Sequence, residues 1–259
     1  MKAQIKVLMI LALALVAVLV YAIVPKSDAL KEQIVPLSLE GFHSESPADA
    51  EVVAIQKADS IERVKTREVD TTAQRILFFG DSMLETLARH AADYAAGNGH
   101  EIHSVVWYSS NSKLWAETDT LQYFIRKFDP TFIMVCLCSN ELFVRDLDNR
   151  ERYIRKIVDK IGKIPFVWIS PPNWKDDTGI NDRIIKAVGK ERYFDSRHYR
   201  EKMPRRRDHA HPTQEAANWW MDSIALWMNS METAHPILMQ PTDTVVKVKN
   251  MILLQPVEQ

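Results

Sequence analysis

The residues that could do chemistry fall into three short blocks: Gly80-Asp81-Ser82, Ser139-Asn140-Glu141 and Asp208-His209-Ala210-His211-Pro212. A serine hydroxyl becomes a nucleophile when an imidazole takes its proton and a carboxylate holds the other ring nitrogen. Asp208 and His211 are spaced so that both can meet within one turn. The side-chain amide of Asn140 can donate to the oxyanion of a tetrahedral intermediate. Each block also has a plainer reading. Ser82 would make a good helix cap, Asn140 could satisfy its own loop backbone, and Asp208 could cap a loop. Asp208, His209 and His211 are metal-ligand types as well, but no further His or Cys cluster joins them, so no metal site is predicted.

These residues need a scaffold that brings distant segments to one edge. Short apolar runs at 76–79, 103–107, 131–138, 165–169 and 192–194 alternate with helical patterns at 84–96, 114–128, 150–161, 180–188 and 214–228. Strands that are apolar throughout and separated by helices imply a parallel sheet covered on both faces. The expected fold is therefore a three-layer α/β/α sandwich with about five strands. In such sheets, sites form at the carboxyl ends of the strands. Ser82 follows the first strand and Asn140 the third. Trp115 and Trp174, after the second and fourth strands, could line a cleft or simply pack. His209 is read as a pocket wall or a structural residue.

With 33 Lys and Arg against 34 Asp and Glu, the chain carries no electrostatic footprint for nucleic acid. The two cysteines, Cys136 and Cys138, sit too close in sequence for an ordinary disulfide. They read as small core residues.

The three blocks together resemble the SGNH (GDSL-like) hydrolase superfamily, over roughly residues 73–230. The resemblance implies a flavodoxin-like sandwich and serine-based hydrolysis or transfer of acyl esters without a cofactor. It makes Ser82 the nucleophile and one oxyanion donor, Asn140 a second donor, His211 the base and Asp208 its orienting carboxylate. The family's second block usually supplies a glycine N–H. Here residues 107–112 hold no glycine, and Ser109 is the replacement. Cys138 stands where the third block commonly has glycine, and Glu141 replaces a common aspartate.

At the start, Lys2 and Lys6 precede residues 7–24, which carry no charge. A helix of that length spans roughly 27 Å, close to the thickness of the hydrocarbon core. The positive end stays in the cytoplasm, so the remaining chain is expected outside the membrane. The competing reading is secretion after signal cleavage near Val20 and Ala22. The expected organisation is an anchor or signal segment at 1–25, a spacer at 26–72 that could be partly helical, a catalytic domain at 73–230 and an extension at 231–259 that could pair as a strand with the sheet or bind a partner. An acylated carbohydrate or a small ester is the expected substrate class, with the membrane as the other partner; O-acyl transfer to an envelope glycan, or a non-catalytic glycan-binding or scaffold protein of the same fold, are the competing readings. The sequence does not fix the oligomeric state.

Overall fold

A computed structural model of the chain describes residues 68–247 and 251–256. The expected anchor and nearly all of the spacer lie outside these residues. Among those described, no helix is long and apolar enough to cross a membrane.

The strands are β1 (Arg75–Gly80), β2 (Glu101–Trp107), β3 (Phe132–Cys136), β4 (Phe166–Ile169), β5 (Tyr193–Phe194) and β6 (Met251–Leu254). They form one sheet in the order β5-β4-β3-β1-β2-β6, and every neighbouring pair is parallel. β1 and β3 are buried almost end to end, as the uninterrupted apolar runs require. Along β1 the pleat sends Ile76 and Phe78 to one face of the sheet and Leu77 and Phe79 to the other.

Helices cover both faces. On one side α1 (Leu84–Gly97) packs against α6 (Gln214–Met228). Buried alanines along α1, Ala88, Ala91, Ala92 and Ala95, allow close approach to Trp220, Met221 and Ile224. On the other side lie α2 (Ser112–Glu117), α3 (Thr120–Phe128), α4 (Leu147–Ile161) and α5 (Ile180–Val188). The three-layer α/β/α architecture matches the expectation from the sequence.

Two features differ from it. The single helix expected at 114–128 is broken into α2 and α3. Thr118 is extended, and its hydroxyl donates to the Leu114 carbonyl, while Lys160 donates to the carbonyls of Trp115 and Thr118. The carbonyls freed at the break therefore find partners. Second, the sheet has six strands rather than about five. After α6 the chain runs back along the sheet. Ile237 and Met239 enter the core, and Asp70 exchanges hydrogen bonds with Pro236 and Leu238. The chain then returns as β6 beside β2. The segment expected as an extension thus packs as part of the same core.

Candidate active site

The order β3-β1-β2 places the turn after β1 between the loops after β2 and β3. This is where strand order reverses direction, the usual location of a site in an open parallel sheet. Three of the expected residues stand on these three loops: Ser82 after β1, Ser109 after β2 and Asn140 after β3.

The serine turn is built into the core. A Cβ on Gly80 would lie 1.8 Å from the Cys136 carbonyl oxygen, so only glycine permits the two strand ends to meet. Asp81 is fully buried. One carboxylate oxygen accepts from the Met83 amide at 3.1 Å and the other from the Ser139 amide at 2.9 Å. Asp81 therefore staples the serine turn to the asparagine loop. Burial pushes its pKa up to about 6, against the pull of the Ser139 and Met83 hydrogen bonds. Ser82 itself is partly exposed, at the entrance to α1.

The imidazole comes from elsewhere. Residues 204–213 form a small surface hairpin, closed by the Arg205–Pro212 bridge and by hydrogen bonds from the Arg206 and Thr213 amides to the His211 and Pro204 carbonyls. At its tip, one oxygen of Asp208 accepts from the amides of Ala210 and His211, both at 2.9 Å. The other lies 2.9 Å from His211 Nδ1. His211 Nε2 in turn lies 2.8 Å from Ser82 Oγ. A carboxylate only accepts, so Nδ1 carries the proton, and Nε2 is left to accept from the serine hydroxyl. The backbone N–H of Ala210, together with the amide and ring of His211, holds the Asp208 pKa at about 2. Asp208 is thus ionised wherever His211 acts as a base.

The structure brings Ser82, His211 and Asp208 together in one hydrogen-bonded chain. His209 does not join them. It is exposed, in a left-handed turn (φ 59°), and its amide donates to Arg206. Among the described residues, no group of three or more His, Cys, Asp or Glu side chains gathers as a metal site.

The loops after β2 and β3 carry the departures from glycine noted in the sequence. Ser109 has φ 57° and Cys138 has φ 86°, both in the left-handed region. Such a conformation costs a non-glycine residue about 1–2 kcal/mol, and it persists only where neighbours hold it. The neighbours are visible. Asn140, exposed rather than buried, uses its side-chain amide to donate to the Ser110 carbonyl at 2.8 Å, tying the two loops together. Glu141, fully buried, accepts from the Ser112 amide and hydroxyl at 2.8 and 2.6 Å and pairs with Arg150 at 3.1 Å.

Trp115 does not line a cleft. It is fully buried, packed on Phe79 and Trp107, and its indole N–H donates to Ser110 Oγ at 3.0 Å. A tryptophan on the inner face of α2 faces the core, because α2 covers the sheet there. Trp174 is half-buried and meets the exposed ring of Phe143 edge-on at 6.0 Å, so an aromatic surface does flank the β3–β4 side. Sequence reasoning missed the parts Asp81, Glu141, Ser112, Arg150 and Arg205 play. Arg205 donates to the carbonyls of Ala210, Pro172 and Asn173, tying the histidine hairpin to the loop after β4. Asp81 and Glu141 were in view as block residues, and an acidic side chain beside a strand-end turn was the available signal.

No protein-family model matches the sequence, and no curated protein does. Among solved structures, one similar chain is the C-terminal catalytic domain of Streptococcus pneumoniae peptidoglycan O-acetyltransferase A (OatA), carrying a methylsulfonyl adduct. It is 16% identical, with a TM-score of 0.42, over 62% of this chain and 95% of that one. The three blocks through which this sequence resembles the SGNH hydrolases lie at one edge of the sheet. The chemistry of the site rests on the geometry of Ser82, His211 and Asp208 themselves.

Proposed function

We propose that this chain is a serine-dependent enzyme of acyl esters, acting outside the cytoplasmic membrane on an O-acylated glycan. The observation that carries the reading is the Asp208–His211–Ser82 hydrogen-bonded chain at the carboxyl edge of the sheet. In this mechanism Ser82 Oγ attacks the ester carbonyl while His211 Nε2 takes its proton. Asp208 holds the Nδ1–H tautomer and stabilises the imidazolium that forms. The oxyanion is met by the amides of Ser82 and Ser109 and by the side-chain amide of Asn140. His211 returns the proton to the leaving alcohol, and the acyl group stays on Ser82.

The second half decides the reaction type. Water at the acyl-enzyme gives hydrolysis, and a glycan hydroxyl gives O-acyl transfer. The similar solved structure is called a peptidoglycan O-acetyltransferase, and transfer to an envelope glycan is the alternative we keep open beside hydrolysis. The exposed ring of Phe143 and the half-buried Trp174, on the β3–β4 side, suit a sugar face in either case. The uncharged segment at 7–24 supports a membrane anchor.

The test is p-nitrophenyl acetate turnover with and without added glycan oligosaccharides. We expect acetate release by the wild-type chain and none above background with Ser82→Ala. Acetylated oligosaccharide in the product would assign transfer, and free acetate alone would assign hydrolysis. Turnover that survives in Ser82→Ala would sink the serine mechanism.

A further inference from the structure

The loop that carries Ser109 is held from two sides, and one of them is β6. β6 pairs in parallel with β2 from Ser104↔Met251 to Trp107↔Leu254. Beyond that register the contacts run on into the donor loop. The Tyr108 amide donates to the Leu254 carbonyl at 3.0 Å, and the Trp107 indole N–H donates to the Gln255 carbonyl at 3.0 Å. Ser109 follows at once, in its left-handed conformation. On its far side, Ser110 is held by its own amide to the Trp107 carbonyl, by Asn140 and by Trp115.

We infer that the C-terminal strand is a positioning element of the active site, with the Leu254 and Gln255 carbonyls fixing Trp107 and Tyr108 so that the Ser109 amide stays aimed at the reacting carbonyl. The inference rests on the acyl-ester reading above. Its physical basis is the strain at Ser109. A serine held at positive φ relaxes when one flank is released, whereas a glycine there has nothing to relax. Neither Leu254 nor Gln255 touches the substrate, so both act through the loop. A strand at the edge of the sheet is thereby coupled to a donor that stabilises the transition state rather than the bound ester. Its loss should therefore appear in kcat rather than KM.

The experiment is a mutant cycle in the full chain. Leu254→Pro disrupts the pairing of an edge strand, and Ser109→Gly removes the strain while keeping the backbone N–H. With p-nitrophenyl acetate, we expect Leu254→Pro to lower kcat roughly 10-fold, with KM changed less than about twofold. In the Ser109→Gly background the same change should cost less than about twofold. Equal losses in both backgrounds, or a loss confined to KM, would overturn the inference. Amide hydrogen exchange supplies a readout independent of turnover. Tyr108, Ser109 and Ser110 should exchange faster in Leu254→Pro while 205–212 keep their wild-type rates. Unchanged exchange at Tyr108–Ser110 would show that the tail does not hold the loop. If the wild-type chain neither turns over ester nor is labelled on Ser82 by a sulfonyl fluoride, the enzymatic reading fails, and the exchange result still decides the structural coupling.

Discussion

The serine turn and the histidine hairpin contribute to one hydrogen-bonded chain, yet they are held in opposite ways. Around Ser82 the supports are buried: Gly80 packs on the Cys136 carbonyl, and Asp81 has no exposure. Around His211 they are local and wet. The Asp208 side chain keeps 48% of its exposure and the His211 side chain 29%. The hairpin rests on its own backbone hydrogen bonds and on Arg205. The difference teaches where to expect coupling between activity and stability. A change on the serine side disturbs core packing and catalysis together, whereas a change on the hairpin disturbs catalysis with the fold intact.

The strongest test of that contrast is Asp208→Asn. The oxygen that accepts both the Ala210 and His211 amides is kept, so the hairpin should stay closed. The other oxygen becomes an NH2 facing Nδ1, which selects the wrong imidazole tautomer. We expect kcat to fall about 10⁴-fold, with the urea midpoint lowered only slightly, by the loss of what the largely exposed carboxylate itself contributes. A clear fall in the midpoint would mean that the hairpin is part of the folding core after all. Next in size, Asn140→Ala should lower kcat by about 10²–10³-fold with KM nearly constant. Steady-state kinetics would refute a donor role if the variant kept wild-type kcat.

Arg205→Ala sharpens the comparison at a smaller scale. Its guanidinium is the described link from the hairpin to the loop after β4, through the Pro172 and Asn173 carbonyls. Losing it should let His211 wander from Ser82. A misplacement of that kind costs roughly 10-fold or more in rate. Arg205→Lys should recover only part, because an ammonium does not reproduce the planar fork that reaches three carbonyls. Full activity in Arg205→Ala would show that the hairpin positions its histidine unaided.

How much of this was legible follows from the physics of each part. Ser82, Asp208 and His211 could be read because a hydrogen-bonded Asp–His–Ser chain needs those residue types and a parallel sheet fixes their edge. α5 and α6 could be read from apolar spacing alone. For β6 only the option could be read: Met251–Leu254 is a four-residue apolar run that could pair with the sheet or meet a partner, and its place beside β2 is decided by the fold as a whole. Trp115 could not be assigned either, since a tryptophan just after a strand suits a cleft as well as a core. Its direction is decided by α2 packing over Phe79. The break at Thr118 was hidden because the apolar period continues through it, and the carbonyls it frees are taken by Lys160 from a distant helix.

The smallest expected effect concerns Asp81, and it separates the two halves by pH. Burial raises its pKa to about 6, so between the unfolded value near 3.8 and that value the folded state binds more of this proton than the unfolded one. Its contribution to stability is then fully present below about pH 4 and is lost as pH rises through about 6, with a slope of at most about 1.4 kcal/mol per pH unit. Asp208 has the opposite sign. Its pKa is depressed to about 2, so its contribution is present above the unfolded value near 3.8 and is lost as pH falls through 2. Comparison with Asp81→Asn isolates the first effect, because every other group is common to both chains. The variant loses some stability at all pH values, since its NH2 group meets the Ser139 amide donor to donor. Beyond that fixed cost, the gap in urea midpoint between wild type and variant should widen as pH is lowered from 7 to 4. A gap that narrows instead would mean that the Ser139 and Met83 amides outweigh burial and favour the carboxylate. The staple between the serine turn and the asparagine loop would then be an anion bound by backbone amides, held as Asp208 is on the exposed side.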